Sequence, residues 1–300
     1  DESDGSFLKL PINYSIVTNI DFEHIDYYKS YKNLEKAFIE FINKTPPIGK
    51  SLICIDNKNI NKILSRIRNK NILTYGFKKE SNYRISNPRY NATHSLFDLY
   101  YKNLNGRRRV IRNINLRLIG RHNILNAAAA VAVCINLGVK IDIIKKALKN
   151  FSGVQRRMTK IFSNNKNEFF DDYAHHPTEI SSILDGINKA YNNRKIITVF
   201  EPHRYSRIMS LKKAFSKSFH QSDLVLICPL YAAGEKKNVN FNLYNFAKLI
   251  SKNSKTQVVL VKNQKELSNY FKKNLISNEI IIGMGAGSIS QWMRELKFSL

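Results

Sequence analysis

Residues 168–180 read EFFDDYAHHPTEI. An apolar run ends in two carboxylates, a tyrosine and two histidines, and Pro177 then opens a helical pattern. Proline suits the first turn of a helix, where its missing N–H leaves no bond unmade. Glu179, in that same turn, complements the helix dipole. The stretch therefore reads as a strand, a polar corner and a helix. The unit repeats downstream in KIITVF (195–200), DLVLIC (223–228), TQVVLV (256–261) and EIIIGMG (279–285), each followed by a helix-like segment. This alternation predicts a parallel, doubly wound sheet. Ligands of such sheets bind at the carboxyl ends of the strands. Four polar corners fall there: DDYAHH (171–176), EPHRYSR (201–207), PLYAAGE (229–235) and GAGS (285–288). A packed core has no use for histidine, arginine and tyrosine at strand ends, so one shared rim is expected to form a site.

Upstream, YSIVTNI (14–20), SLICID (51–56) and ILTYGF (72–77) read as strands, with a helix carrying Leu34, Ala37, Phe38, Phe41 and Ile42. Residues 83–118 alternate in short runs, predicting an antiparallel meander. The alanine-rich run 120–138 predicts a helix stopped by Gly138. A short helix follows over 141–148. The texture changes at FSGVQRRM (151–158), which divides the chain into domains at 1–152 and 153–300.

The 300 residues hold 49 basic and 23 acidic side chains, a formal charge of +26. Lysine is scattered along the whole chain. The one dense run, Arg107–Arg109 with Arg112 and Arg117, alternates with apolar residues and reads as a solvated strand edge rather than a nucleic-acid stripe. Cys54, Cys134 and Cys228 sit singly in apolar runs, as reduced buried thiols do. No run is long and apolar enough to cross a bilayer, and the acidic start lacks a signal-peptide pattern. These features predict a cytoplasmic protein that does not enter a membrane. The sequence begins at Asp1 without methionine and is expected to be a fragment.

Several side chains admit two readings. His176 is better explained by helix capping than by chemistry. Asp172, Tyr173 and His175 are better candidates, since a carboxylate can hold a ribose hydroxyl or a metal-bound water and a histidine can orient phosphate or relay a proton. Arg204 and Arg207 are either a clamp for a carboxylate or phosphate, on one face if the helix has begun, or a solvated pair. Position on the rim favours the clamp. In GRHNILN (120–126), Asn123 is either an N-cap or a ligand contact, and Asn126 can read an adenine edge. His24, after a buried strand, is a metal ligand or a structural histidine. GMGAGS is a weak glycine signal, explained equally well by a tight turn.

Taken together, DESDGSFL, IVTNIDFEHID, GRHNILNAAAAVAV, GVQRRM, DDYAHHPTEI, EPHRYSR, YAAGE and GAGSIS resemble the Mur ligase family in order, across essentially the whole chain. The likeness is greatest to its alanine-adding branch. A branch that recycles murein tripeptides shares the DD-aromatic-AHHP stretch but not HRYSR. The resemblance implies a truncated central ATPase domain followed by a Rossmann-like ligase domain. It implies ATP-dependent ligation of L-alanine to UDP-N-acetylmuramate through an acyl phosphate, in peptidoglycan precursor synthesis, with Mg2+. It implies no nucleic acid, and a monomer or weak homodimer. His24 would bind Mg2+. His122, Asn123, Asn126, Arg157 and Asp172 would contact ATP. Tyr173, His175, Arg204 and Arg207 would face the reacting groups, and His203, Tyr231, Ala233 and Glu235 the amino acid. The family's GxxGK[ST] phosphate loop is absent, because Gly49-Lys50-Ser51 reads as a turn, and its metal-binding glutamate would fall before Asp1. Glu23 stands where the family usually has Asp, and Ser288 where Asp is frequent. The competing expectation is a nucleotide- or nucleic-acid-binding remnant without catalysis.

Overall fold

The computed structural model describes residues 2–103 and 105–300, with Ile25 and Asp26 described in backbone only. Asp1, on which the reading of a truncated start rests, lies outside the described residues. The chain forms two compact units, Asp1–Phe151 and Ser152–Leu300.

The first unit holds one six-stranded sheet in sequence order: β1 (Tyr14–Val17), β2 (Lys50–Cys54), β3 (Ile72–Gly76), β4 (Tyr83–Tyr90), β5 (Ser95–Lys102) and β6 (Arg108–Leu116). β1 to β3 pair in parallel, and β4 to β6 form the expected antiparallel meander. A two-residue parallel pairing of β3 with β4 joins the two parts into one sheet. β6 is an edge strand, and Arg107, Arg108, Arg109, Arg112 and Arg117 are exposed along it. Charge on an edge blocks further strand pairing, so the arginine run is the solvated edge read from the sequence. The helix Arg121–Asn136 buries Ile124, Ala127, Ala128, Ala129, Val131 and Ala132. It ends as Gly138 predicts: Val139 N–H donates to Cys134 O at 2.9 Å and Gly138 N–H to Ile135 O at 3.0 Å, with Gly138 at φ +79°. Gly49 closes a turn onto Pro46 O at 2.9 Å, and a Cβ there would lie 1.7 Å from the carbonyl oxygen of Asn13. The Gly49-Lys50-Ser51 segment is thus a turn running into β2. Cys54 and Cys228 are buried as expected, whereas Cys134 is half-buried.

The second unit has the order β11-β10-β9-β12-β8-β7, with β8 (Asn167–Asp172), β9 (Ile196–Phe200), β10 (Leu224–Ile227), β11 (Gln257–Leu260) and β12 (Ile280–Met284) all parallel. The sequence reading missed β7 (Thr159–Asn164), which pairs antiparallel with β8. Its turn residues Asn165 and Lys166 sit at φ +46° and +63°. That is the left-handed pair a two-residue hairpin needs, but without the glycine that usually announces it. No helix among the described residues is long and apolar enough to cross a membrane.

Candidate active site

β8, β9, β10 and β12 deliver their following loops to one edge of the second sheet. The Asp172 side chain turns inward, 1% exposed. It accepts the Met158 N–H and the Ala174 N–H, each at 2.8 Å. Burial pushes its carboxyl up to about 7, against the pull of those two N–H groups and of Arg157. A group raised in the folded state stabilises fully below its ordinary value of 3.8 and loses that contribution as pH rises through about 7. Thermal stability should therefore fall between about pH 4 and pH 7. Asp172→Asn should give a lower but flatter profile in melting experiments across that range, because its neutral amide cannot accept both N–H groups. An unchanged slope would remove Asp172 as the cause.

Tyr173 is held between cations. Arg156 lies 4.7 Å and Arg157 5.9 Å from its ring centroid, and the Arg156 guanidinium also donates to Gly285 O at 2.7 Å. Arg156 was missed by the sequence reading, which favoured its neighbour. His175 donates Nδ1–H to Tyr173 O at 2.8 Å, which commits that ring nitrogen to the backbone. His176 is the N-cap of the helix Pro177–Ala190: its Nδ1 accepts from Thr178 N–H and Glu179 completes the capping box. Glu179 Oε2 accepts the N–H groups of His175 at 3.0 Å and His176 at 3.2 Å. Burial would raise the Glu179 carboxyl, but His175 and Arg157 outweigh it and hold it below the ordinary range.

After β9 the chain turns at Arg204, which has φ +66° and precedes the helix Tyr205–Ser210 as its N-cap. The condition under which Arg204 and Arg207 would share a helix face is thus not met, since only Arg207 is helical. The two approach the rim from a bend and from a helix. Arg207 Nη1 donates to His203 Nδ1 at 3.0 Å. Burial, then the charges of Arg207, His175 and Arg204, press His203 down to about 4, so its ring is neutral at ordinary pH. His203 stacks on Tyr231 with centroids 5.5 Å apart and 12° between planes, and it packs edge-on to His175 at 5.7 Å. Arg204 N–H donates to Tyr231 O, and Tyr231 N–H to Pro202 O. Ala233 has φ +49°, in the tight turn that brings back Glu235, whose carboxylate accepts the Ser206 N–H and hydroxyl. Tyr173, His175, His203, Arg204, Arg207, Tyr231 and Glu235 are therefore linked through one another or through the same loops.

In the first unit, Gly120 with φ +106° is the N-cap of the helix Arg121–Asn136. Asn123 is consequently not the cap. It lies in the first turn and donates Nδ2–H to Ile119 O at 2.7 Å. His122 and Asn126 share this helix, and Arg121 pins its start by pairing with Asp56 at 2.6 Å and lying 3.7 Å over the Phe77 ring. His24, at φ +55°, places Nε2 3.4 Å from Glu2 Oε1 and 3.9 Å from Glu23 Oε2. Ligand atoms of all three lie within 4.8 Å of one another. Two carboxylates and an imidazole fit a hard divalent cation that keeps several waters. Glu2 was absent from the sequence reading.

The model of the Mur ligase middle domain matches residues 2–134, and that of the Mur ligase, glutamate ligase domain matches residues 156–287. The UDP-N-acetylmuramate–L-alanine ligase of Pelagibacter ubique (strain HTCC1062) is 51% identical over 297 residues, covering 99% of this chain and 64% of the relative. The solved UDP-N-acetylmuramate-alanine ligase of Thermotoga maritima superposes with TM-score 0.76 at 25% identity, covering 99% of this chain and 62% of that one. A murein peptide ligase from Psychrobacter arcticus 273-4 gives TM-score 0.65 at 20% identity, over 98% of this chain and 58% of that one.

Proposed function

The chain belongs to the Mur ligase family, and on that footing we propose that it supplies the nucleotide-handling and amine-accepting parts of a cytoplasmic ligase joining L-alanine to UDP-N-acetylmuramate at the expense of ATP. The observation that carries this reading is the 51% identity to an alanine-adding relative over 99% of the chain, taken with a rim that gathers HRYSR and DDYAHH. The chain spans 64% of that relative's length, so substrates, ATP and Mg2+ are assigned here to the whole enzyme.

The family's reaction asks the protein mainly to orient anions and hold developing charge. Arg204 and Arg207 clamp the carboxylate of the incoming amino acid. His203, kept neutral, orients through its Nδ1 lone pair on Arg207. His175, with Nδ1–H committed to Tyr173 O, presents Nε2 to the reacting groups. Tyr231, Ala233 and Glu235 shape the amino-acid pocket. His122, Asn123 and Asn126 are assigned to the nucleotide, as the family resemblance also assigns Arg157 and Asp172. Glu2, Glu23 and His24 would hold Mg2+, which when bound neutralises phosphate charge. The protein acts on small molecules, with no nucleic acid and no membrane insertion in this reading, as a monomer or weak homodimer.

The test is ADP release by the chain joined to the N-terminal portion its relatives carry. Release should require UDP-N-acetylmuramate, L-alanine and Mg2+ together, and chelation should abolish it. Release driven by a murein tripeptide instead of L-alanine would move the enzyme to the recycling branch. None with either acceptor would leave a binding remnant.

A further inference from the structure

Glu201 directly follows β9 and lies immediately before the Pro202-His203-Arg204 bend. It is only 2% exposed. Its N–H donates to Met284 O at 2.9 Å, which seats it against β12. One carboxylate oxygen is fully engaged, because Oε1 accepts both the Ser288 N–H at 3.1 Å and the Ser288 hydroxyl. The other oxygen, Oε2, is buried and has no hydrogen-bond partner. A buried acceptor without a donor costs free energy comparable to a lost hydrogen bond, and native structures keep few of them.

Its surroundings belong to the rim. A Cβ placed on Gly287 would lie 2.4 Å from Glu201 Oε2 and 2.5 Å from Tyr231 Cγ. Oε2 and the Tyr231 ring therefore both close on Gly287, which contributes no side chain. The Tyr231 ring stacks on His203, which Arg207 holds. The other carboxylates of this edge are already supplied with donors. Asp172 has two backbone N–H groups, Glu179 has two more and Arg157, and Glu235 has Ser206. Asp171 Oδ1 is likewise buried without a partner, but its carboxylate is committed to Ser290 and Arg294. The rim around Tyr231 is otherwise cationic and aromatic. It has guanidinium groups for a carboxylate and, in Glu201 Oε2, one buried anionic oxygen that lacks a donor.

A zwitterionic amino acid presents a carboxylate and an ammonium close together. We propose that Glu201 Oε2 receives the α-ammonium of the incoming amino acid, completing a recognition site whose carboxylate end is the arginine pair. The inference rests on the reading that this rim binds an amino acid. Tyr231, 43% exposed, and Gly287 close on Oε2 with no room for even a methyl group between them, so the ammonium reaches Oε2 as the Tyr231 ring swings outward. The site reads charge at the amine and small size beside it.

The experiment compares Glu201→Gln with the parent, both joined to the N-terminal portion of the relatives, in assays of ADP release. Gln preserves size and can still accept from Ser288, but removes the charge. A charge-assisted hydrogen bond lost in a buried site should raise the KM for L-alanine roughly 10- to 100-fold. The KM for ATP and for UDP-N-acetylmuramate should stay within about twofold. L-Lactate, which has a hydroxyl in place of the ammonium, provides a second readout. As a competitor it should discriminate poorly between parent and Glu201→Gln, so the preference for L-alanine over L-lactate collapses in the variant. Glu201→Asp, which keeps the charge, should retain most of that preference even if it melts earlier. A parent that turns over while Glu201→Gln keeps the parental KM for L-alanine overturns this inference alone. A parent that releases no ADP with any amino acid overturns the functional reading, and this inference with it.

Discussion

Arg207→Ala should lower kcat/KM for L-alanine by on the order of 10²- to 10³-fold, the loss seen when one preorganised charged donor is taken from a reacting site. Two effects combine at this residue. The clamp loses a guanidinium, and His203 loses the donor on its Nδ1 at 3.0 Å. With the Arg207 charge gone, one of the influences pressing His203 down to about 4 is also removed. Its ring then becomes easier to protonate, and the pH profile should acquire a new acid limb. Folding should hardly change, because Arg207 is half-buried on a six-residue helix anchored by the buried Ile208. A melting temperature within about 2 °C of the parent, with the KM for ATP unchanged, would place the loss in the amino-acid site. Arg207→Lys keeps a charge but not the planar fork and should recover only part of the rate. Parental kinetics in Arg207→Ala would remove it from the site.

Phe169→Ala should be the most destabilising single change in the second unit, at about 3–5 kcal/mol. Phe169 is fully buried on β8. Its ring stacks on Phe162 at 4.1 Å and 11° and meets Phe271 edge-on at 6.1 Å. Phe162 comes from β7 and Phe271 from the helix Gln264–Asn274, so one side chain ties the edge hairpin, the central sheet and a covering helix. Removal leaves a cavity that three separate elements cannot close together. In a unit of this size the melting transition should drop by on the order of 10 °C. Calorimetry on the purified chain measures it directly. A drop of only a degree or two would mean that Phe162 and Phe271 collapse into the space.

The parallel sheet of the second unit was legible because its strands are short, apolar and separated by helical periodicity. The rim was legible too, since the chemistry sits directly after each strand, where topology must place it. β7 was not, because Thr159–Asn164 is half polar and its turn lacks glycine. Whether Arg204 and Arg207 share a helix face stayed open in the sequence, because a positive φ at an arginine carries no sequence signal. Asn123 was misread as a possible cap because Gly120 caps through backbone freedom alone. The role of Glu201 was invisible, since a lone glutamate before proline reads as loop polarity until its oxygens can be followed one by one.

By itself the sequence determined the family, the two-part architecture and which loops meet at one edge, because periodicity and strand-end chemistry are local properties. Only the tertiary structure decided which ring nitrogen of His175, His176 and His203 is committed, which carboxylates are already satisfied, and that Glu201 Oε2 still lacks a donor. Those properties depend on distances between residues far apart in the chain, such as Glu201 and Ser288. They also depend on burial, which pushes Asp172 up and His203 down. A residue's type fixes what bonds it can make, and the packing around it fixes which of them it makes.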